Sequence, residues 1–373
     1  MKMQRSAPYL GIIGALALGV LLSILFDSTA LVRAPEKIVI PATVTESPAD
    51  NSIATTTTSI SDIPVQEKNT APKQIPAPVP TVETQPQVQE SVVDITAALD
   101  ASASVLRSAL VNIICSAPAG GALHSVSGSG VIVDSKGIIL TNAHIGQYFL
   151  LADRGVSCAI RSGSPAVDKY DAELIYISPS WIQANPNVLT QTDPIGTGEY
   201  DFAFLAISKA SYGVNNSLPA VFPSIPLAIT PPAARTPVVI ASYGAQFLVS
   251  SQIAFGLFPT IVFGSVKDIF TFKTNTIDVL ALGGSAAAQE GSSGGGVADA
   301  SGTLVGTITT STVSGTTDTR SLDAITASYI RAQYATETGQ ALDILLAKPS
   351  ATAIADFAPQ ISPLESIITA GLK

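Results

Sequence analysis

The segment from residue 110 to residue 310 constrains the fold most, because it is a series of short apolar runs separated by turn-forming residues. Val131-Ile-Val133 and Ile138-Ile-Leu140 flank Asp134-Ser-Lys-Gly137, a pattern that predicts a β-hairpin. Further strands are predicted at 110–115, 157–162, 172–178, 201–208, 237–243, 260–267, 277–282, 295–299 and 303–310. Many short strands with turns between them predict an all-β protein, built as a sandwich or as barrels.

Apolar residues at helical spacing flank this region on both sides. Val93, Ile95 and Leu99 predict a helix at 93–108 that leads into the first strand. Residues 323–346 also fit a helix, whose candidate core contacts are Ala324, Ala327, Ile330 and Leu342.

Two stretches inside the region lack a clear strand pattern. Residues 179–199 are rich in Pro, Asn and Thr, and we expect a long surface insertion there. Residues 247–263 are strongly apolar, which suggests a second membrane span or buried strands. Polar residues such as Gln252 interrupt the run, so we expect buried strands.

The N-terminal 26 residues predict a membrane anchor. Pro8 to Phe26 carries no charge and is just long enough to cross a bilayer as a helix. Lys2 and Arg5 precede it and should stay in the cytoplasm, which places the rest of the chain outside. A cleaved signal peptide is the alternative, but no small-x-small cleavage site follows, and we expect an uncleaved signal-anchor.

Residues 27–92 have a different composition, rich in Pro, Thr and Gln, as in Pro72-Lys-Gln-Ile-Pro-Ala-Pro-Val-Pro80. Such a segment cannot bury enough apolar surface to fold, and we expect a disordered tether. The predicted organisation is an anchor at 1–26, a linker at 27–92, a folded domain at 93–346 and a C-terminal tail at 347–373.

Charge and cysteine content exclude several classes of protein. The net charge is −9 and no Lys/Arg cluster stands out, so we expect no nucleic-acid partner. Cys115 and Cys158 do not have zinc-site spacing, and we expect neither a metal nor an organic cofactor. The two cysteines form either a disulfide or two buried thiols. The export signal favours the disulfide, worth about 4 kcal/mol in the chain-entropy model.

Three motifs carry residues suited to nucleophilic catalysis. His144 follows the predicted hairpin, Asp201 begins an apolar strand, and Ser293 lies in the turn Gln289-Glu-Gly-Ser-Ser-Gly-Gly-Gly296. A serine hydroxyl becomes a good nucleophile only when a neighbouring base takes its proton. Histidine suits that task near neutral pH, and a carboxylate fixes its tautomer. Glycines beside the serine let backbone N–H groups converge into an oxyanion hole.

The order His, Asp, Ser resembles that of chymotrypsin-like proteases, and the motifs look like those of the HtrA/DegP type. The similar segments are Gly128-Ser-Gly-Val-Ile-Val133, Thr141-Asn-Ala-His144, Asp201-Phe-Ala-Phe-Leu205 and Gly291-Ser-Ser-Gly-Gly295. The resemblance covers roughly residues 109–312 and implies a double β-barrel, here with an N-terminal transmembrane helix, a disordered tether and a C-terminal helix.

The resemblance also implies roles for individual residues. His144 would be the general base, Asp201 its orienting carboxylate and Ser293 the nucleophile, with the N–H groups of Gly291 and Ser293 as the oxyanion hole. Asp171 and Asp193 are substitutes for the aspartate, Ser292 competes with Ser293, and His124 is expected to be exposed in a loop.

The chain departs from the family's pattern at two motif residues, because Ser292 replaces the usual Asn and Gly296 stands where Pro is preferred. The loop between the histidine and the aspartate is expected to be longer than usual. We also expect no PDZ domain after the protease body, and therefore no PDZ-based capture of substrate. None of these departures removes a catalytic group.

The resemblance places the primary specificity pocket as well. Its floor would lie at Ala286–Ala288, with Ala287 at the centre, and its wall on the strand that carries Thr307 and Thr309. Neither supplies an acid, so cleavage after Lys or Arg is disfavoured. We expect a small or medium aliphatic side chain to be preferred.

The sequence thus predicts a serine endopeptidase that hydrolyses extracytoplasmic polypeptides, anchored by a single membrane pass with its protease domain in the periplasm or at the cell surface. An oligomer is compatible with the sequence. The alternative is a catalytically inactive binding module that keeps the protease fold. A purely structural surface protein would have no use for three ordered catalytic motifs.

Overall fold

The computed structural model describes residues 36–37, 94–121, 123–191, 196–211, 217–273, 275–311, 315–370 and 372. The predicted anchor lies outside these residues, and so does the predicted linker apart from strand β1 (Glu36–Lys37). Within the described ranges, no helix combines the length and the apolar character that a membrane span requires.

The folded part begins with helix α1 (Ile95–Ala109), as predicted, and continues directly into a closed six-stranded antiparallel barrel. The barrel strands follow in the order β2-β3-β4-β7-β6-β5, and the interior is filled by branched apolar side chains such as Ile113, Ile139 and Leu205. The strands are β2 (Leu110–Ser116), β3 (Val126–Asp134), β4 (Ile138–Thr141), β5 (Ser157–Gly163), β6 (Ala166–Ile177) and β7 (Ala203–Ala210).

Cys115 and Cys158 are bonded to each other, which confirms the predicted disulfide. They stand directly opposite one another on β2 and β5, so the bond links two neighbouring barrel strands whose cysteines are 43 positions apart in the chain.

The second sheet has eight strands in the order β1-β10-β11-β14-β13-β12-β8-β9. With the first barrel it forms the chymotrypsin-like pair of barrel-like sheets that the motifs predicted. Its further strands are β8 (Pro237–Ser242), β9 (Thr260–Ser265), β10 (Asp268–Thr271), β11 (Val279–Ala281), β12 (Gly296–Asp299), β13 (Leu304–Ser311) and β14 (Leu322–Thr326).

Helices lie between the strands and at the C-terminal end. They are α2 (Ala143–Gly146), α3 (Pro179–Ala184), α4 (Ser250–Phe255), α5 (Ala327–Thr338), α6 (Leu342–Ala347) and α7 (Ser350–Thr369), with 3₁₀ helices at Gln147–Arg154 and Val188–Thr190. Helix α7 occupies most of the predicted C-terminal tail at 347–373, beyond the helix that the sequence predicted at 323–346.

The predicted helix at 323–346 is wrong in its first residues. Leu322–Thr326 is strand β14, which pairs with β11 and β13 on its two sides. The helix begins only at Ala327, where the Thr326 hydroxyl accepts the N–H of Tyr329 and caps its first turn. Ala324 is therefore a core residue of the sheet.

The stretch 179–199 is not wholly a surface insertion. Within it, Trp181 and Ile182 on α3 and Leu189 on the following 3₁₀ helix are buried in the core. Helix α3 starts where the Ser178 hydroxyl accepts the N–H of Trp181, with Pro179 at its first position.

The prediction of buried strands at 247–263 is also wrong. This segment forms α4 and the edge strand β9, and it exposes several large apolar side chains because β9 has a neighbour on only one side and α4 is short. Leu257 is buried, whereas the exposed side chains are Phe247, Val249, Phe255, Phe258 and Phe263.

Arg161 on β5 fixes this segment to the first barrel. Its buried guanidinium donates to the carbonyls of Ile253 and Ala254 at the end of α4, at 2.9 and 2.5 Å, and to Ala166 O at 2.7 Å. Four carbonyls at the end of a helix lack intrahelical partners, so Arg161 satisfies groups that would otherwise need water.

Candidate active site

Two paired strands bring His144 and Asp201 together. His144 lies on α2 just after β4, Asp201 stands just before β7, and Thr141 on β4 is paired with Ala203 on β7. His144 Nδ1 is 2.8 Å from Asp201 Oδ2, and the His144 backbone N–H donates to Asp201 Oδ1 at 2.9 Å. A carboxylate only accepts, so Nδ1 carries the proton and Nε2 is left to act as a base.

Asp201 is held from two further directions. Its side chain is almost completely buried, and the Thr309 hydroxyl donates to Oδ2 at 2.8 Å. The Asn142 side chain donates to the Asp201 carbonyl at 2.9 Å. Three hydrogen bonds to the carboxylate satisfy its charge inside the protein and hold it against the imidazole.

The two candidate serines differ in their surroundings. Ser292 is 1% exposed, and its hydroxyl accepts from Ser242 Oγ at 3.1 Å, so it faces the core. Ser293 is half-buried. Among the described residues no hydrogen bond joins Ser293 Oγ to His144. Such bonds are commonly long without substrate and tighten when it binds.

Ser129 on β3 attaches the serine loop to the histidine side of the site. Its backbone N–H donates to Ser293 O at 2.7 Å, and its hydroxyl donates to Gly291 O at 2.8 Å. Its own carbonyl accepts from Thr141 Oγ1 at 2.8 Å, three residues before His144. Sequence reasoning missed this role, although Ser129 stands inside the Gly128-Ser-Gly motif.

Gly294 is required by this close approach. Its φ is +84°, and a Cβ there would lie 2.0 Å from Ser129 O and 2.5 Å from Thr141 Oγ1. Both atoms belong to the first barrel, so a side chain at this position would push the serine loop away from strand β4, which leads to His144.

Two backbone N–H groups are free to stabilise an oxyanion. The carbonyl of Glu290 accepts the N–H of Ala245 at 2.8 Å, and the carbonyl of Ser292 accepts the N–H of Gly295 at 2.9 Å. The C=O and N–H of a trans peptide point in opposite directions. The N–H groups of Gly291 and Ser293 therefore point away from those partners, and neither donates to another described residue.

Ala287, Thr307 and Thr309, which the sequence predicted for the specificity pocket, are buried, and their part in such a pocket stays a prediction. Ala287 and Thr307 are fully buried, and the Thr307 hydroxyl donates to Gly295 O at 3.1 Å. The Thr309 hydroxyl donates to Asp201 Oδ2. These two threonines support the serine loop and the aspartate, a role that strand position alone did not reveal.

The other candidates do not join the site. Asp171 forms an ion pair with Lys209 at 3.3 Å, His124 is exposed, and Asp193 lies outside the described residues. In the part of the chain that the structure describes, no group of three His, Cys, Asp or Glu side chains is arranged to hold a metal.

Tyr329 supports the loop that leads to Asp201. Its hydroxyl accepts the backbone N–H of Tyr200 at 3.0 Å, and Tyr200 adopts a left-handed φ of +59°. Burial raises the pKa of Tyr329, so the hydroxyl stays neutral. This contact orients the chain immediately before the carboxylate.

Two barrel-like sheets with a histidine and an aspartate on one and a glycine-rich serine loop on the other define a chymotrypsin-like serine peptidase. The family model described as "Trypsin-like peptidase domain" matches residues 128–306, which include all three motifs. The chain therefore carries a trypsin-like peptidase domain and is a serine protease of that class.

The similar solved structures are distant. The crystal structure of the Rv3671c protease in its inactive form has 16% identity and a TM-score of 0.40, covering 66% of this chain and 96% of that one. The active form, from M. tuberculosis, also has 16% identity and a TM-score of 0.40, covering 66% and 87%. No curated protein sequence matches this chain.

Proposed function

We propose that the protein is a serine endopeptidase in which His144, Asp201 and Ser293 act as a triad. The observation that carries the proposal is the bond from His144 Nδ1 to the buried Asp201 carboxylate, together with the attachment of the Ser293 loop through Ser129. This arrangement leaves His144 Nε2 as the base and Ser293 Oγ as the group that it deprotonates.

The reaction then follows from these atoms. Ser293 Oγ attacks the scissile carbonyl carbon while its proton moves to His144 Nε2, and the N–H groups of Gly291 and Ser293 stabilise the oxyanion. The amide C–N bond breaks as the histidine gives its proton to the leaving amine. Water, deprotonated by His144, hydrolyses the acyl-enzyme and restores Ser293.

The test uses the full-length chain with Ser293→Ala and, as a matched control, Ser292→Ala. A fluorophosphonate probe should label the wild type and Ser292→Ala, and Ser293→Ala should lose both labelling and peptide hydrolysis. Labelling that persists in Ser293→Ala would refute the assignment. A folded wild-type chain that never labels would favour an inactive binding module.

We propose that the protease domain lies outside the cytoplasmic membrane, as in proteases of the HtrA/DegP type. Its substrates would be polypeptides in that compartment. The apolar run from Pro8 to Phe26, the basic residues before it and the Pro/Thr-rich linker support an anchored, extended arrangement. The Cys115–Cys158 disulfide adds support, because such bonds persist in oxidising compartments.

Fractionation of cells tests the anchor. The full-length chain should remain in the membrane fraction after carbonate washing, and a chain lacking residues 8–26 should not. Recovery of the full-length chain in the soluble fraction would contradict the anchor without bearing on catalysis.

A further inference from the structure

Arg320, just before β14, is a buried cation whose guanidinium contacts three separate segments. Its Nη1 donates to Gln246 Oε1 at 2.5 Å and to Ala288 O at 2.8 Å, while Nε and Nη2 donate to Gly315 O at 3.2 and 3.0 Å. Gln246 follows β8, Ala288 lies in the loop that leads to Ser293, and Gly315 belongs to the loop before β14. One side chain thus ties together three loops of the second sheet.

The charge of this side chain has no carboxylate partner among the described residues. Arg161 and Arg331 each make an ion pair, at 3.2 and 2.8 Å. Arg320 is 5% exposed, and its guanidinium contacts neutral oxygens and the face of the Phe247 ring, whose centroid is 5.7 Å from Cζ. Burying a cation without a counter-charge is costly. The guanidinium is rigid and planar, so its donors can hold several acceptors in fixed positions relative to one another.

The contacts of Arg320 lead to the proposed oxyanion hole. Gln246 and Ala288 flank a second cross-link between the same two segments, the bond from Ala245 N to Glu290 O at 2.8 Å. That bond orients the Glu290–Gly291 peptide and so aims the Gly291 N–H. The fit is close, because a Cβ on Gly291 would lie 2.8 Å from Tyr243 O and 3.1 Å from Ala245 N.

We propose that Arg320 is a positioning residue for catalysis: it holds Gln246 and Ala288 together, which keeps the Glu290–Gly291 peptide turned so that the Gly291 N–H faces the oxyanion. The inference rests on the proposed function. Without Arg320 the peptide can rotate and its N–H is lost to the site, although the triad side chains remain in place.

The experiment compares Arg320→Met with Arg331→Met in the full-length chain. Arg331 is a matched control because it also donates to two backbone carbonyls, those of Leu227 and Ala228, neither of which contacts a proposed catalytic residue. Arg320→Met should lower kcat on a peptide amide by about 10²–10³-fold, the usual effect of losing one oxyanion donor, with KM changing less than about threefold. Arg331→Met should stay within about twofold of the wild type.

A tetrahedral inhibitor supplies a readout that a general loss of stability would not reproduce. A peptide boronate forms an adduct whose oxygen occupies the oxyanion site, so Arg320→Met should weaken its binding by about the same factor as kcat. Substrate-like competitive peptides should bind nearly as before.

Four results would overturn the role. One is a folded Arg320→Met with kcat within threefold of the wild type, and another is a boronate affinity that does not follow kcat. If Arg320→Met does not fold, Gln246→Leu decides the question: we expect about a tenfold loss of kcat, and full activity would overturn the proposal. A wild-type chain that never labels with fluorophosphonate would overturn the proposed function and this role with it.

Discussion

The Asp201 carboxylate shares its charge among three donors, and one of them, Thr309, comes from the second sheet. The other two, the ring and the backbone N–H of His144, belong to the first barrel. Thr309 therefore links the position of the aspartate to strand β13 of the second sheet.

We predict that Thr309→Val lowers kcat/KM about tenfold. The valine has the same shape but leaves a buried carboxylate oxygen with one donor fewer, and a hydrogen bond to a charged group is worth about 1.5–3 kcal/mol. Thr309→Ser should keep most of the activity because it keeps the hydroxyl. Steady-state kinetics on a peptide substrate measures both. Equal losses in the two variants would show that the methyl group matters instead.

The sequence predicts the residues of the candidate site, but it does not predict the residues that hold them in position. The motif around His144 and the aspartate before an apolar strand predict a close pair, because paired strands carry both. Ser129 and Gly291 are 162 positions apart, and Arg320 and Gln246 are 74 apart. Contacts between such distant loops depend on how the two sheets meet, and no local pattern encodes that.

A carboxylate near the C-terminal end of helix α5 attaches the helix to the first barrel. Glu337 accepts from the Ser178 hydroxyl at 2.8 Å, from the Ser180 N–H at 3.3 Å and from the hydroxyl of Tyr176. Burial raises the pKa of Tyr176, and the nearby negative charge of Glu337 raises it further, so the tyrosine remains a donor.

We predict that Glu337→Leu lowers the free energy of unfolding by about 2–3 kcal/mol. The substitution leaves the buried Tyr176 and Ser178 hydroxyls without their acceptor, and each unsatisfied group costs about 1–3 kcal/mol. The exposed carboxylate of Asp343, paired with Arg331, is the control, because Asp343→Ala should cost less than about 1 kcal/mol. Urea titration followed by fluorescence measures both. Similar costs for the two variants would contradict this account.

Elements with a clear local pattern are predicted well, and those decided by their neighbours are not. The hairpin of β3 and β4 has two short apolar runs and a turn with Gly137, and both strands form as predicted. Strand β14 looked helical because Ala324 and Ala327 fit a helical spacing. Pairing with β11 and β13 outweighs that preference.

Among the described residues, the segment 247–263 holds the largest group of exposed large hydrophobic side chains. Residues 246–266 contain no Asp, Glu, Lys or Arg, so the segment itself carries no charge. Apolar surface of this kind is where proteins associate or aggregate.

We predict that Phe255→Ser reduces binding of a hydrophobic dye and slows aggregation without loss of stability. Phe255 is 83% exposed, so removing its ring forfeits little buried area. The melting temperature should change by less than about 2 °C, whereas Leu257→Ser, at a buried position of the same segment, should lower it clearly. A large fall with Phe255→Ser would mean that the ring is buried in solution.

The attachment of the Ser293 loop to Ser129 has a consequence for engineering. The histidine and the aspartate lie before residue 217 and the serine lies after residue 236, so a cut in the segment between them would give two pieces, neither with a complete site. Reassembly would have to restore the bonds of Ser129 to the serine loop before hydrolysis resumed. The rate of peptide hydrolysis would then measure how much of the two fragments has reassembled, so the chain is a candidate for a split-enzyme reporter.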